Sequence, residues 1–254
     1  MANKKIQWEV ASYRLTLFPK IDANVNLLSP DFASRIWPDG KDVKKTSEKL
    51  IDQKPQILLE GKYEDSKLIL NLTPFRIDLN YLPKDQVNLS TFSLQSLGIF
   101  EDSLIKLQTL TKNWFNKLST MEFSRLAFST DLIHRVENHE AGYNLVSTYL
   151  PFKVDPSTST DFRYQINKFT SSKIVDGLRI NRISLWDVLK FDLELSPSGL
   201  SESAIKKEDM FYAHLNFDIN TDQSSKNVYK GKELTTMFDE LISEGVEISE
   251  KGVK

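Results

Sequence analysis

The densest cluster of ligand-capable side chains lies in segment 131–140, which holds two of the chain's three histidines. Zinc needs neutral imidazoles and carboxylates that converge at about 2 Å from the ion. His134, Glu137 and His139 are therefore the candidate ligands of a metal-dependent hydrolase. On a helix, however, the two histidines would point about 140° apart, and the HExxH order is absent. The favoured interpretation is a polar loop leading into a helix with Asn138 as its N-cap.

A third histidine, His214, lies in an apolar stretch that runs from Phe211 to Leu215. An imidazole has an ordinary pKa of about 6.5 and can serve as a general base. The chain offers no serine nucleophile elbow that such a base would activate. We therefore interpret His214 as a hydrogen-bonded residue of a sheet. Asp218, which ends the predicted strand, supplies a single carboxylate and is interpreted as the start of a turn.

Five basic residues fall within a short stretch that contains one acid, Asp176. They are Arg163, Lys168, Lys173, Arg179 and Arg182. With Tyr164 and Phe169 between them, two paired strands could form a ribbon that holds phosphates or stacks bases, which gives a nucleic-acid-binding alternative. Strand alternation instead favours a solvated sheet face, and the net charge of -2 argues against a dedicated nucleic-acid binder.

Segment 233–254 has the opposite, acidic character, which would allow it to associate with the basic strands of another molecule or with a partner. A solvated helix face is the favoured interpretation. The sequence contains no glycine-rich phosphate loop, dinucleotide fingerprint or Walker motif. It also contains no cysteine, which excludes disulfides, thiolate nucleophiles and thiolate metal sites. We therefore expect no cofactor.

The composition is that of a folded globular protein. The 254 residues are 40% hydrophobic and 27% charged, and no apolar run reaches the ~20 residues that span a bilayer. The first residues lead into an alternating strand rather than the apolar core of a signal peptide. Together with the absence of cysteine, this pattern predicts a cytoplasmic protein without membrane contact.

Apolar and polar residues alternate through most of the predicted secondary structure, as in the row from Phe75 to Tyr81. A period of two places the apolar side chains on one face of a strand, which is typical of antiparallel sheets with one solvated face. The first strand, between Ile6 and Phe18, changes phase by one residue after Val10. Such a slip predicts a β-bulge or two successive strands.

Apolar residues at three-to-four spacing predict helices over 101–118, 138–150 and 233–241, the last of which Gly245 would end. A short polar helix is expected near 42–51. The predicted fold class is α+β, with antiparallel sheets packed against amphipathic helices. A polar linker at 155–161 suggests two similar halves, 1–154 and 155–254, each ending in a helix, or one continuous domain.

Two short motifs in the second half carry a family resemblance. They are Gly-Leu-Arg-Ile-Asn-Arg-Ile at 177–183 and Leu-Asn-Phe-Asp-Ile at 215–219. In these motifs the chain resembles an uncharacterised group of prokaryotic proteins of about this length. The resemblance implies a prokaryotic or phage origin. It brings no activity and no functional residues with it.

The favoured function is a non-catalytic cytoplasmic protein-binding factor: an adaptor, a chaperone-like factor or a regulatory subunit. No catalytic motif is present, and 15 Phe, 8 Tyr and 4 Trp are available for recognition surfaces. The expected partner is a protein, with nucleic acid and a metal-dependent hydrolase as the two alternatives. The sequence leaves the oligomeric state open.

Overall fold

A computed structural model describes residues 6–20, 27–38, 43–51, 54–88, 91, 93–195 and 206–253. In these residues the strands are β1 (Glu9–Pro19), β2 (Val43–Ile51), β3 (Lys54–Tyr63), β4 (Ser66–Thr73), β5 (Arg76–Pro83), β6 (Val87–Asn88), β7 (Ser93–Leu94), β8 (Phe123–Val136), β9 (Arg163–Ser171), β10 (Arg179–Leu195) and β11 (Lys206–Thr221). The helices are α1 (Pro30–Arg35), α2 (Phe100–Lys117), α3 (His139–Ser147) and α4 (Lys232–Lys251).

Nine strands form one large sheet in the order β2-β3-β4-β5-β1-β8-β11-β10-β9, and β6 pairs with β7 in a small hairpin. All neighbouring strands of the large sheet run antiparallel. The predicted α+β class with antiparallel sheets is therefore confirmed. None of the described helices combines the length and the apolar character that crossing a bilayer requires.

The strand order divides the sheet into two units of similar topology, one of five strands and one of four. In the first unit, β5 returns to pair with β1, and α2 follows; in the second, β11 returns to pair with β8, and α4 follows. The first strands of the two units, β1 and β8, pair with each other at the centre of the sheet. Segments 1–154 and 155–254 both contribute to this one sheet. The topological repeat begins anew at β8, ahead of the polar linker.

The helices pack on one face of the sheet. The hydroxyl of Tyr13 on β1 lies 2.7 Å from that of Ser103 on α2, and the indole of Trp8 donates to the carbonyl of Ser249 on α4. Cross-strand partners share a face, so the buried row of Tyr13, Leu15 and Leu17 continues into β8 through partners such as Phe128. This covered face is the core of the protein.

A register shift in the β1–β8 pairing lies between Val10 and Ser12. Val10 is fully buried with the helix-covered row, whereas Ser12 hydrogen-bonds to Asp131 on the opposite face. The bulge predicted from the change of phase is therefore confirmed. It turns the Ser12 side chain towards the site described below.

Three predictions of local structure are wrong. Residues 43–51 form the edge strand β2 rather than a polar helix. Strand β8 continues to Val136, so most of the expected polar loop of segment 131–140 is strand. Asp218 lies inside β11, where it pairs with Arg14, and it does not end the strand. In each case a ladder of neighbouring strands holds polar residues in extended backbone, an influence that local propensity does not include.

Helix α4 extends from Lys232 to Lys251 and ends at Gly252, so Gly245 does not end it as predicted. A Cβ atom built on Gly245 would lie 2.5 Å from Cε2 of Phe217 and 3.3 Å from Cε1 of Phe128. Glycine therefore permits the close approach of α4 to the centre of the sheet. Its low helix propensity is offset by this packing.

We expect Gly245→Ala to lower the free energy of unfolding by about 1–3 kcal/mol, because the added methyl group overpacks the contact with Phe217. In an exposed helix position the same change would stabilise by up to ~1 kcal/mol. Chemical denaturation followed by tryptophan fluorescence measures the difference. Ser243→Ala, at an exposed position of the same helix, is the matched control. Equal stability of wild type and Gly245→Ala would contradict the packing argument.

Candidate functional site

Polar side chains occupy the face of the sheet opposite the helices. Towards one end of this face the β6–β7 segment lies close to the sheet, and the backbone N–H of Leu94 donates to the hydroxyl of Tyr212 at 2.9 Å. A cleft of about 460 Å³ opens between the two. Its floor is formed by central strands of the sheet, and it is the candidate functional site.

Four neighbouring strands supply the charge cluster in the floor, which we define as Ser12, Asp131, Asp187, His214 and Asn216. Nδ1 of His214 lies 2.7 Å from Oδ1 of Asp187, and Nε2 lies 3.2 Å from Oδ1 of Asp131. Ser12 donates to Oδ2 of Asp131 at 2.6 Å, and Asn216 donates to Oδ1 at 2.8 Å. Side-chain hydrogen bonds within the cluster link β1, β8, β11 and β10, in addition to the backbone pairing of these strands.

The charge states follow from these contacts. Burial by itself would lower the pKa of His214, but the hydrogen bonds to Asp131 and Asp187 outweigh it and raise the pKa to about 9. Burial would raise the pKa of Asp131, but the hydrogen bonds from His214, Ser12 and Asn216 lower it to about 2. At neutral pH the cluster is an imidazolium held between carboxylates.

In this protonation state His214 is not a general base. Each nitrogen of His214 donates to a carboxylate, so the ring has no lone pair with which to accept a proton. The hydroxyl of Ser12 is bound to Asp131 and not to the imidazole, so the two residues do not form a nucleophile–base pair. The prediction of a hydrogen-bonded sheet histidine at position 214 is confirmed. The cluster links side chains of four adjacent strands beneath the cleft.

Above this floor the walls of the cleft are apolar. They are formed by Leu82, Pro83, Leu94, Ile133, Leu189 and Phe191. Lys67 of β4 and Lys84, which directly follows β5, also line the cleft. The cleft thus combines an apolar wall, a charged floor and two lysines in its lining.

The basic residues of the predicted ribbon do not share one surface. Lys173 and Arg182 both form ion pairs with the buried Glu244 of α4, at 2.8 Å and 3.4 Å. Arg179 pairs with Asp222 at 2.7 Å and lies over the ring of Phe169 on the opposite face.

The other two basic residues of the predicted ribbon are Lys168 and Arg163. Lys168 donates to the carbonyl of Val253, beside the end of α4, and Arg163 is exposed at the start of β9. Lys173 and Arg182 therefore already pair with the acidic helix α4 within the same molecule. Nucleic-acid binding stays a prediction.

The candidate metal ligands lie on three different parts of the chain. Nδ1 of His134, on β8, is 3.0 Å from the carbonyl of Gln7, whereas His139 begins α3 and stacks on Tyr143. Glu137 lies between the two elements. Among the described residues, no three His, Asp or Glu side chains are grouped as a metal site would require. Asn138 caps α3 as predicted and accepts from the N–H of Ala141 at 2.9 Å.

Sequence reasoning missed both acidic partners of His214. Asp187 interrupts an apolar strand and lies directly opposite His214, but that register can be known only once β10 and β11 are paired. Asp131 begins the segment that contains His134 and His139, but its side chain lies on the opposite face of β8 from His134. The available signal in the sequence is an acid that interrupts the apolar run of a strand, as Asp187 does between Trp186 and Val188.

Comparison with models of protein families, with curated proteins and with solved structures finds no match to this chain.

We expect the charge cluster to make stability depend on pH between about 6.5 and 9. The folded state keeps the His214 proton up to a pKa of about 9, whereas the unfolded chain releases it near 6.5. The stabilisation is therefore complete below pH 6.5 and is lost as pH rises to 9, by on the order of 2–3 kcal/mol. Urea denaturation at a series of pH values measures this loss.

His214→Gln keeps hydrogen-bonding capacity but cannot titrate, so the fall in stability over this pH range should disappear. His139→Gln, which removes an imidazole outside the cluster, is the matched control and should retain the fall. The same pH profile for wild type and His214→Gln would show that the histidine is not held as an imidazolium.

Proposed function

We propose that this protein is a non-catalytic protein-binding factor that holds a partner in the cleft over the polar face of the sheet. It would serve as an adaptor, a chaperone-like factor or a regulatory subunit in a prokaryotic or phage cytoplasm. The observation that carries the proposal is an apolar cleft over a charge cluster in which both nitrogens of the imidazole are held by carboxylates. Such a floor can support a bound group without reacting with it.

The shape and polarity of the cleft favour a protein segment as its occupant. An apolar side chain that enters between Leu82, Leu189 and Phe191 would lose its contact with water, which is how most binding hot spots gain their energy. The volume of about 460 Å³ suits one or two large side chains. An anchor of this kind gives recognition without chemistry.

Two lysines in the lining of the cleft add a preference for acidic partner residues. Lys67 and Lys84 line the cleft, and Lys67 lies 3.8 Å from Glu60 at the surface. Acidic residues beside the apolar anchor of a partner would meet these lysines, which increases the association rate and lowers the affinity at high salt. The preferred partner segment is therefore apolar at its centre and acidic at its flanks.

The floor contributes rigidity. His214, Asp131 and Asp187 are fixed by mutual hydrogen bonds across adjacent strands, so the floor does not have to be ordered when the partner binds. A preformed site loses less conformational entropy on association than a mobile one. This supports a binding role for the cluster.

We expect fluorescent peptides with a central Leu-Phe pair and glutamate flanks to bind more tightly than the same peptides with lysine flanks. Leu189→Glu places a carboxylate in the apolar wall and should abolish binding of the glutamate-flanked peptide, because a charged side chain is costly to bury. Fluorescence anisotropy at two salt concentrations measures both effects.

Phe75→Glu is the matched control, because Phe75 is 69% exposed at the β4–β5 turn and does not line the cleft. This variant should bind like the wild type. Equal loss in both variants, or equal affinity for the two peptide sets, would contradict recognition at the cleft. Turnover of any substrate that depends on His214 would overturn the non-catalytic role.

A further inference from the structure

Strand β9 forms one edge of the large sheet, and no other described strand pairs with its outer side. The N–H of Ser172, just after β9, donates to the carbonyl of Leu178 at 2.8 Å, which fixes the direction of the neighbouring backbone groups. Backbone direction alternates along a strand. The even-numbered residues of β9 therefore bond to β10, and the odd-numbered residues direct their N–H and C=O groups outwards.

We propose that a second copy of this chain pairs with β9, strand against strand, across a two-fold axis at Asn167. In this register Asn167 faces its own counterpart, Gln165 faces Phe169, and Arg163 faces Ser171. All five outward-directed residues of each copy then find backbone partners. The inference goes beyond the proposed function, because it concerns another surface of the molecule.

The side chains of β9 are compatible with this self-pairing. Arg163 would face the neutral Ser171 of the second copy, and Lys168 would face Ile166, so no like charges oppose each other. Lys168 is also turned towards the end of α4, where it donates to the carbonyl of Val253. The positive charges of β9 therefore do not repel an approaching copy at matching positions.

Exposed aromatic rings lie along the same edge. Phe169 is 68% exposed on one face, beneath the guanidinium of Arg179. Phe152 is 41% exposed on the other side and packs 5.2 Å from Tyr164, between ring centroids. A second copy would bury part of both rings, which adds apolar contact to the backbone hydrogen bonds.

The two edges of the sheet differ in the residues that usually prevent pairing. The sequence of β2, at the far edge, carries three lysines and one glutamate in nine residues. Charged residues, lysine in particular, are a common means of blocking edge-to-edge association. Strand β9 carries one arginine and one lysine, and the lysine donates a hydrogen bond to the carbonyl of Val253, just after α4. The β9 edge is therefore the one that a second copy can use.

The contact is small, so we expect a weak dimer that dissociates on dilution. A nine-residue edge buries less than the standard interface of about 1,600 Å². Analytical ultracentrifugation over a concentration series should show the wild type passing from monomer to dimer. Asn167→Pro removes an outward N–H at the axis and should leave a monomer, whereas Asn167→Thr keeps the N–H and should still dimerise.

The absence of cysteine from the chain permits a sharper test of the register. In Asn167→Cys the two thiols would face each other across an antiparallel pair, with Cα atoms about 5.5 Å apart, within the range for a disulfide. In Gln165→Cys the thiols would be at least about 13 Å apart, since each faces position 169 of the other copy. Mild oxidation followed by non-reducing electrophoresis measures the dimer yield.

We expect a high yield of disulfide dimer from Asn167→Cys and little from Gln165→Cys. Similar yields from both variants, or a wild type that stays monomeric at all concentrations, would overturn the proposal. If Asn167→Pro proves unfolded by circular dichroism, the cysteine pair decides the matter. Peptide binding at the cleft is measured independently, so a failure of dimerisation and a failure of partner binding are distinguishable.

Discussion

The antiparallel pairing of β1 with β8 is the interaction on which the rest of the structure depends. Each strand begins one topological unit, so their pairing turns two partial sheets into one. It also brings Tyr13, Leu15 and Phe128 into one row that α2 and α4 cover. The bulge after Val10 belongs to this pairing, and it places Ser12 beside Asp131. Core, helix packing and the floor of the cleft all follow from one register.

Buried charge in this protein is neutralised by partners on adjacent elements. His214 is held by carboxylates from the strands on either side, and Glu244 of α4 receives Lys173 and Arg182 from the β9–β10 region. Removing one member of such a pair leaves the other unsatisfied, which is far more costly than never having buried either. His214 thus fastens three strands to one another, and Lys173 and Arg182 fasten the β9–β10 region to α4. Apolar side chains such as Leu189 and Phe191 line the cleft beside this network.

The sequence predicts local structure well and tertiary relationships poorly. Alternation along Ile77, Leu79 and Tyr81 and the phase change at Val10 report the two faces of a strand directly, and both are confirmed, whereas Phe75 of the same predicted row is exposed in the β4–β5 turn. Gly245 and residues 43–51 are misjudged because a contact with Phe217 and a neighbouring strand override local propensity. The partnership of Asp187 with His214 depends on strand register, which no single segment encodes. The cleft escapes prediction for the same reason, because its apolar walls come from four separate strands.

The central strand pairing also has consequences for how the chain reaches its native state. The hydroxyl of Thr130 donates to the carbonyl of Ser12 over a separation of 118 positions, whereas β3, β4 and β5 pair through short hairpins. Local hairpins close early at small entropic expense, and distant strands must diffuse together afterwards. During synthesis β1 therefore leaves the ribosome long before β8 exists, with its apolar row uncovered. We therefore expect slow folding and a transient tendency to aggregate, because the central strand pair of the sheet forms late.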